Sequence, residues 1–312
     1  MCRTQEEALD FAERAPWGFP FMVKADGLAA GKGTVAVHDA AGAKTAITQI
    51  MGEKKFGTAG AKLVLEEFLP GEEVSFLAFC DGAKVVPMVS AQDHKRALDG
   101  DQGPNTGGMG TISPATHLSL DVHKQIMQEI ILPTVKGLAE EGRRYQGVLY
   151  AGLMITDKGP KVLEFNARFG DPDTQVIMAR MRSDIVPILQ GVATGNLKDA
   201  RMEWAKEPAV CIVLASRGYP DAVETGKVIS GLEKLKGASD VVVYHAATAL
   251  KDDKLVTVGG RVLGVTALAA TMDAAVQRAY EAVDQISFDG MFCRRDIGHK
   301  ALARLRAAKP AP

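Results

Sequence analysis

Cysteine is scarce in this chain. Its four thiols, Cys2, Cys80, Cys211 and Cys293, lie far apart, with no Cys-x-x-Cys pair among them. That spacing argues against a disulfide framework or a zinc ribbon and predicts reduced, mostly buried thiols. An excess of one charge is missing too. Against 37 Lys and Arg stand 38 Asp and Glu, a formal net charge of −1. A general nucleic-acid binder would carry a basic footprint and a solvating tail an acidic run, so no nucleic-acid partner is expected. No apolar run reaches the roughly 20 residues of a spanning helix. The opening MCRTQEEALDF contains no signal-peptide core, and the expectation is a cytoplasmic protein with no membrane partner. Internal repeats are absent, and the tail AAKPAP is the one biased segment. The six histidines (His38, His94, His117, His123, His245, His299) lack metal-ligand spacing, and no Ser-His-Asp or Cys-His arrangement suggests a covalent nucleophile.

What is present is ordinary globular material. The 312 residues, 46% hydrophobic and 24% charged, suffice for two or three substructures with more than one core. Residues 5–14 read as a short helix ended by Pro16 and Gly18, and 21–25 as a strand finishing at Lys24 and Ala25. AGAKTAITQIM has helical spacing, and KLVLEEFL (62–69) is a strand. EVSFLAFCDGAKVVPMVS reads as a hairpin about Asp81-Gly82, and LYAGLMITDKGPKVLEFN as a second one turning at 157–160. Between them, 92–113 reads as a long polar loop, and 121–140 as an amphipathic helix that Pro133 bends or restarts. DTQVIMARMRSDIVPIL reads as helix. From about Met202 the pattern changes to short strands, AVCIVLAS, VVVYHAA, KLVTV and RVLGVTAL, followed by one helix through Met272, Val276, Tyr280 and Val283. The fold class is α+β, an antiparallel sheet with hairpins and a small appended C-terminal α+β domain.

The stretch VKADGLAAGKGTVAV (23–37) contains glycines and lysines suited to phosphate. It is not a P-loop, which needs four residues between its glycines and then Lys-Ser or Lys-Thr opening a helix. Here three residues separate Gly27 from Gly31, Gly33 follows Lys32, and the β-branched TVAV continues as a strand. The element is a strand–glycine loop–strand flap. Lys24 and Lys32 offer point charges, while Gly31 and Gly33 let backbone N–H groups approach a phosphate closely. A plain hairpin is the ordinary alternative. EEFLPGEE offers strand-exit backbone from Glu67 to Leu69 for an adenine edge, and Glu73 for ribose hydroxyls.

LEFNARFGDPDTQ (163–175) is the most informative stretch. Residues i and i+2 of a strand share a side, so Glu164 and Asn166 present a carboxylate and an amide oxygen together. These hard ligands suit magnesium that also bridges nucleotide phosphates. Arg168 continues that spacing and could serve a phosphoryl group. A solvated Glu164 paired with Arg168 is the alternative. In QDHKR and GPNTGGMG, Lys95 and Arg96 accompany Asn105, Thr106, Gly107, Gly108 and Gly110, donors suited to a phosphorylated or carboxylated substrate.

Taken together, VKADGLAAGKG, LEEFLPGEEVSF, QDHKR, GPNTGGMG, LYAGLMI, EFNARFGDPDTQ and GGRVLGVTAL resemble the phosphoribosylamine–glycine ligases, ATP-grasp enzymes of purine synthesis. The resemblance extends from about Phe19 to RRDIG near the C-terminus. It implies an ATP-grasp fold, two α+β subdomains around the nucleotide. The expected parts are a lid subdomain with the glycine flap (1–67), a central subdomain with the metal and substrate site (68–200) and a C-terminal domain (201–312). It also implies a ligase forming a C–N bond: glycine attacks ATP to give glycyl phosphate, and 5-phosphoribosylamine displaces phosphate. By the same resemblance Glu164 and Asn166 bind Mg2+ or Mn2+. Lys24, Gly31, Lys32, Gly33, Glu66, Glu67, Leu69, Glu73, Asn105, Gly107 and Gly108 contact ATP, and Lys95, Arg168 and Asp171 take part in catalysis. Members of the family open with an N-terminal domain bearing a Gly-Gly-Arg-Glu-His type motif, and this chain begins after it. Its expected partners are therefore the two substrates and a separate N-terminal domain chain, with a monomer otherwise. The alternative is an ATP-binding fragment without turnover of its own.

Overall fold

Alternation of apolar and polar residues in FMVKA and LVLEE sets two strands whose inward residues, Phe21, Val23, Leu63 and Leu65, are buried. They belong to the first of two units in a computed structural model that describes residues 1–29, 33–197 and 202–308. This unit comprises Met1–Pro70 together with Asn105–Gly107. Its sheet is antiparallel, in the order Thr34–Val37, Phe21–Ala25, Leu63–Glu67. Helix Gln5–Arg14 starts where the Thr4 side chain accepts the Glu7 N–H, and helix Ala40–Ile47 where Asp39 accepts the Gly42 N–H at 2.7 Å. Ala8, Ala12, Ala43, Ala46, Ile47 and Ile50 close these helices over the sheet.

The second unit comprises Gly71–Pro104 and Gly108–Pro312. Among the described residues it contains a four-stranded antiparallel sheet ordered Gly159–Asn166, Gln146–Thr156, Glu72–Asp81, Val85–Pro87. Even-numbered residues of Glu72–Asp81 (Val74, Phe76, Ala78, Cys80) face Ile126, Ile130, Ile131 and Val135. Those residues come from helix Leu120–Ile126, a π-helical turn Met127–Ile131 and helix Leu132–Glu140, with Pro133 in its first turn. The helical backbone runs through all three without a break, and the π-helical turn lies just before Pro133, which has no N–H for an i−4 carbonyl. Odd-numbered residues of the same strand face the other way. Leu77 and Phe79 pack with Val148, Tyr150, Val176, Ile177, Ile188 and Val192. On the site side, the register between Gln146–Thr156 and Gly159–Asn166 shifts by one residue at Gly152/Leu153: Gly152 opposes Glu164, whereas Leu153 opposes Val162.

A six-stranded sheet contains the run Val241–His245, Arg261–Leu268, Ala209–Ser216, Gly110–Ser113, Gln92–Asp93, and Met291–Phe292 also pairs with Ala209–Ser216. Helix Met272–Val283 lays Ala275, Ala279, Ala282 and Val283 on it. Two expectations are corrected. The segment 92–113 is not a loop, since it contributes Gln92–Asp93 and Gly110–Ser113 to this sheet and Arg96–Leu98 with Gln102–Asn105 as a small ribbon. Of its polar residues, Gln92, Asp93, His94, Thr111 and Ser113 are buried. The single helix expected over 173–189 is two, Asp173–Arg180 and Ile185–Thr194. Met181 leaves the helix for an isolated bridge with Trp204, and Asp184 caps a fresh start. All four cysteines are free thiols, and among the described residues no helix is long and apolar enough to cross a membrane.

Candidate active site

In the first unit, Lys24 lies opposite Val64 and Met22 opposite Glu66. Lys24 and Glu66 are thus diagonal neighbours on the outward face of the sheet, and they form an ion pair. The flap closes where the Ala25 N–H donates to the Gly33 carbonyl at 2.8 Å. A Cβ at Gly33 would lie 2.7 Å from that of Ala29 and 3.0 Å from that of Ala25, so this position needs glycine. Gly31 and Lys32 lie outside the described residues. Glu67 ends its strand exposed and Leu69 follows half-buried. Asn105, half-buried, and Gly107, exposed, also group with this unit.

In the second unit, the register aligns Ser75, Gly152 and Glu164 across three strands and, one step along, Leu77, Tyr150 and Asn166. The apolar half of this face is core. Its other end is polar. Glu164 and Asn166 do share a side, and the Asn166 Nδ2 lies 3.2 Å from the Glu164 Oε1. Rotating the amide by 180° would turn its oxygen there instead. Among the described residues no group of three or more His, Cys, Asp or Glu could enclose a metal. A carboxylate and an amide side by side fit an ion that keeps waters and phosphate oxygens and takes one or two protein ligands, as magnesium does. Glu164→Gln and Asn166→Ala are each expected to weaken MgATP binding about tenfold or more, with melting temperature unchanged because Glu164 is exposed and Asn166 half-buried. Calorimetric titration checks this, and equal affinities in both variants would remove the metal assignment.

Three motifs distant in sequence meet beside this pair. From QDHKR, Asp93 is 8% exposed and its Oδ2 lies 2.7 Å from the Lys95 Nζ. From GPNTGGMG, Gly108 has φ +125° and packs its backbone so closely that a Cβ would lie 2.6 Å from the Asp93 Oδ1 and 2.5 Å from Pro172. From FGDPDTQ, Asp173 is 2% exposed at the start of its helix. Tyr150 and Ser75, both buried, share a hydrogen bond of 2.9 Å. Burial and then the charge of Asp93 push Asp173 up to about 6. Burial alone would lower Lys95, but Asp93, Tyr150 and Asp173 outweigh it and hold the ammonium above its ordinary value. Burial also raises Tyr150 and the half-buried Glu73, the latter despite Lys95.

Arg168 does not continue the strand face, because the strand ends at Asn166. Its guanidinium donates to the Phe169 carbonyl at 2.8 Å and is exposed. Asp171 is exposed and paired. The Arg261 Nη2 reaches its Oδ2 at 3.1 Å, while the Arg261 Nη1 reaches its carbonyl at 2.8 Å and that of Gly108 at 3.4 Å. Sequence reasoning placed Asp173 beside Pro172 on the turn into its helix without a role, and did not single out Arg261, Tyr150 or Ser75. For Ser75 and Tyr150 the available signal was a polar residue inside an otherwise apolar strand.

A further set was missed entirely. Arg294, 1% exposed, donates to both oxygens of Asp296 at 2.7 and 2.8 Å, to Asp101 at 2.9 Å and to the Arg96 carbonyl at 3.2 Å. The Gly100 N–H donates to Asp296 and the Arg295 N–H to Asp99. Burial would raise Asp296, but the Arg294 hydrogen bonds and the Gly100 N–H overcome it and hold the carboxyl well below the usual range. His94 is buried, with its Nδ1 3.0 Å from the Gly110 carbonyl and its Nε2 accepting the Gly298 N–H at 3.2 Å. That geometry requires the neutral ring protonated on Nδ1, in keeping with burial and Arg294 depressing its pKa. The RRDIG segment thus clamps the loop that carries Lys95.

The sequence matches the ATP-grasp (A) domain of phosphoribosylglycinamide synthetase over residues 2–174 and the C domain over 209–300. It is 51% identical over 291 residues to the phosphoribosylamine–glycine ligase of Allochromatium vinosum, covering 93% of this chain and 68% of that protein. To the one from Caulobacter vibrioides it is 54% identical over 285 residues, covering 91% and 66%. The crystal structure of phosphoribosylamine–glycine ligase from Thermotoga maritima superposes with a TM-score of 0.84 at 38% identity, covering 95% of this chain and 72% of that one. A biotin carboxylase domain from Hydrogenobacter thermophilus, crystallised with MgADP and bicarbonate, shares the fold alone (TM-score 0.71, 15% identity, 94% and 62% covered). The chain spans about two thirds of the length of the relatives it matches. With an ATP-grasp fold and both domain matches, the chain belongs to the phosphoribosylglycinamide synthetase family.

Proposed function

We propose that this chain ligates glycine to 5-phosphoribosylamine at the expense of ATP, giving glycinamide ribonucleotide, ADP and phosphate, a step of purine biosynthesis. The observation that carries the reading is the meeting of Asp93–Lys95, Gly108 and Asp173 beside the Glu164–Asn166 pair. A glycine carboxylate oxygen bonds to the γ-phosphorus of ATP as the bond to ADP breaks. The amine of phosphoribosylamine then attacks the acyl carbon, and phosphate leaves. Lys95, fixed by Asp93, supplies positive charge where negative charge develops. Asp171, tied by Arg261, orients the turn before the Asp173 helix. In this reading Lys24, Lys32, Gly31 and Gly33 serve the ATP phosphates, and Glu66, Glu67, Leu69 and Glu73 the nucleoside, with Asn105, Gly107 and Gly108 nearby. Glu164 and Asn166 would hold a divalent ion, Mg2+ or Mn2+, which neutralises polyphosphate charge.

A second reading is that the chain binds MgATP without turnover of its own. Incubation with glycine, ATP and freshly generated phosphoribosylamine tests both. Turnover by the chain alone yields ADP and glycinamide ribonucleotide in equal amounts. The second reading predicts product at least about 100-fold lower while MgATP binding is retained. ADP release indifferent to glycine would defeat both.

A further inference from the structure

In sequence Lys95 stands between two residues that one distant segment holds in place. On one side the Arg96 carbonyl accepts from Arg294 at 3.2 Å. On the other the His94 ring, 7% exposed, accepts the Gly298 N–H on its Nε2, also at 3.2 Å. Gly298 precedes helix His299–Ala307 and falls in the C-domain match, whereas His94 and Lys95 fall in the ATP-grasp match. The His94 backbone carries this restraint inward. Its N–H donates to the Asp93 Oδ1 at 2.7 Å, and the Asp93 Oδ2 lies 2.7 Å from the Lys95 Nζ. A continuous path of polar contacts therefore runs from Gly298 through His94 and Asp93 to the ammonium of Lys95.

The two ring nitrogens contribute differently to this path. Nδ1 meets the Gly110 carbonyl, which also accepts the His94 backbone N–H at 2.9 Å, so His94 and Gly110 stay joined without the ring. The link to Gly298, by contrast, runs through Nε2. On the ligase reading above, Lys95 stabilises charge that develops as the glycine carboxylate attacks ATP. A displacement of about 1 Å at such a group costs on the order of 100-fold in rate. We propose that His94 is a positioning residue for this step, its Nε2 lone pair tying the C-terminal segment to Asp93 and so fixing Lys95 at the reacting carboxylate. The C domain thereby sets the geometry of a catalytic group that the ATP-grasp domain supplies.

Two substitutions in the full chain separate the ring's links. In His94→Gln the amide oxygen reaches about as far as Nε2 and keeps an acceptor for Gly298. In His94→Asn the amide nitrogen lies near the place of Nδ1 and keeps a donor for Gly110. Each variant forfeits one hydrogen bond of the ring, so a purely structural histidine would lose stability and rate equally in both. Glycyl phosphate is trapped as glycine hydroxamate at saturating MgATP and glycine. His94→Asn should form it about 30–100-fold more slowly with the KM for ATP unchanged, whereas His94→Gln should stay within about fivefold of the parent. Melting temperatures of the two should agree within about 4 °C. Hydroxamate rates within about threefold of each other in the two variants, or a loss in His94→Asn confined to the ATP KM, would overturn the positioning role. So would a His94→Asn that melts further below His94→Gln than that, since the Gly298 link would then serve stability. An unaltered chain that binds MgATP and forms no hydroxamate would overturn the ligase reading and the positioning role with it.

Discussion

Lys95→Met is expected to slow glycyl phosphate formation by about 10²–10³-fold, the usual consequence of removing a preorganised charge aimed at a developing oxyanion. Hydroxylamine trapping of the acyl phosphate as glycine hydroxamate measures that step without phosphoribosylamine. Nucleotide affinity should change little, since Lys95 belongs to the Asp93–Asp173 cluster and not to the Lys24 strand. The variant also loses a cation facing two buried carboxylates. It should melt below the parent at pH 8, by less than the roughly 3–5 kcal/mol of a fully buried pair because Lys95 is 33% exposed. A carboxyl whose folded pKa is raised costs stability above that pKa, and the cost disappears as it takes up a proton. Lys95 helps hold Asp173 down to about 6 in the parent, so the variant takes up that proton at higher pH and the melting gap should narrow as pH falls toward about 6. Hydroxamate formation within tenfold of the parent would show that Lys95 only balances charge.

Arg294→Met should be the most destabilising single change at a charged position. The side chain is fully enclosed and serves Asp296 through two bonds, Asp101 and one carbonyl. Its loss strands a carboxylate that is 19% exposed, at a cost of about 3–5 kcal/mol. A fall in melting temperature of roughly 10 °C follows for a chain of this size. The pH signature is opposite to that of Lys95. Asp296 is held below its unfolded value, so its contribution is complete above about pH 4 and fades only as pH drops further. The gap between parent and variant should stay level from pH 8 to 5. Arg294→Lys should recover part of the loss, since an ammonium keeps the charge without the planar fork. A melting temperature within 2 °C of the parent in Arg294→Met would show that the clamp does not hold the loop.

Much of this architecture was readable from residue order. The Asp81-Gly82 hairpin, the second hairpin, the strand ending at Lys24 and the i, i+2 pairing of Glu164 with Asn166 all follow from local rules of alternation and turn chemistry. The segment 92–113 did not yield to those rules. Gln92, Asp93 and His94 look like surface residues, yet each is at most 8% exposed. Two of the partners come from far along the chain, Gly298 for His94 and Arg294 for the Arg96 carbonyl, while Asp93 meets Thr111 and Lys95. Local polarity cannot reveal a partner two hundred residues away. The expected strand position of Arg168 failed for a smaller reason, because periodicity was carried two residues beyond the end of its strand.

The one-residue register shift opposite Gly152 has a genetic consequence. Glu164 opposes Gly152, Val162 opposes Leu153, and Leu163 has no counterpart. A strand has a reading frame of two, and Leu163 is a frameshift inside it, placing Lys161 and Glu164 on one side although they are three residues apart. Excising that codon would restore an uninterrupted ladder and leave Lys161 and Glu164, then two residues apart, still on one side. The turn and the Glu164–Asn166 pair would keep their sides. An added residue would not be absorbed in this way, since it would lengthen the bulge. Descendants of this gene should therefore vary residue 163 freely and include some that lack it.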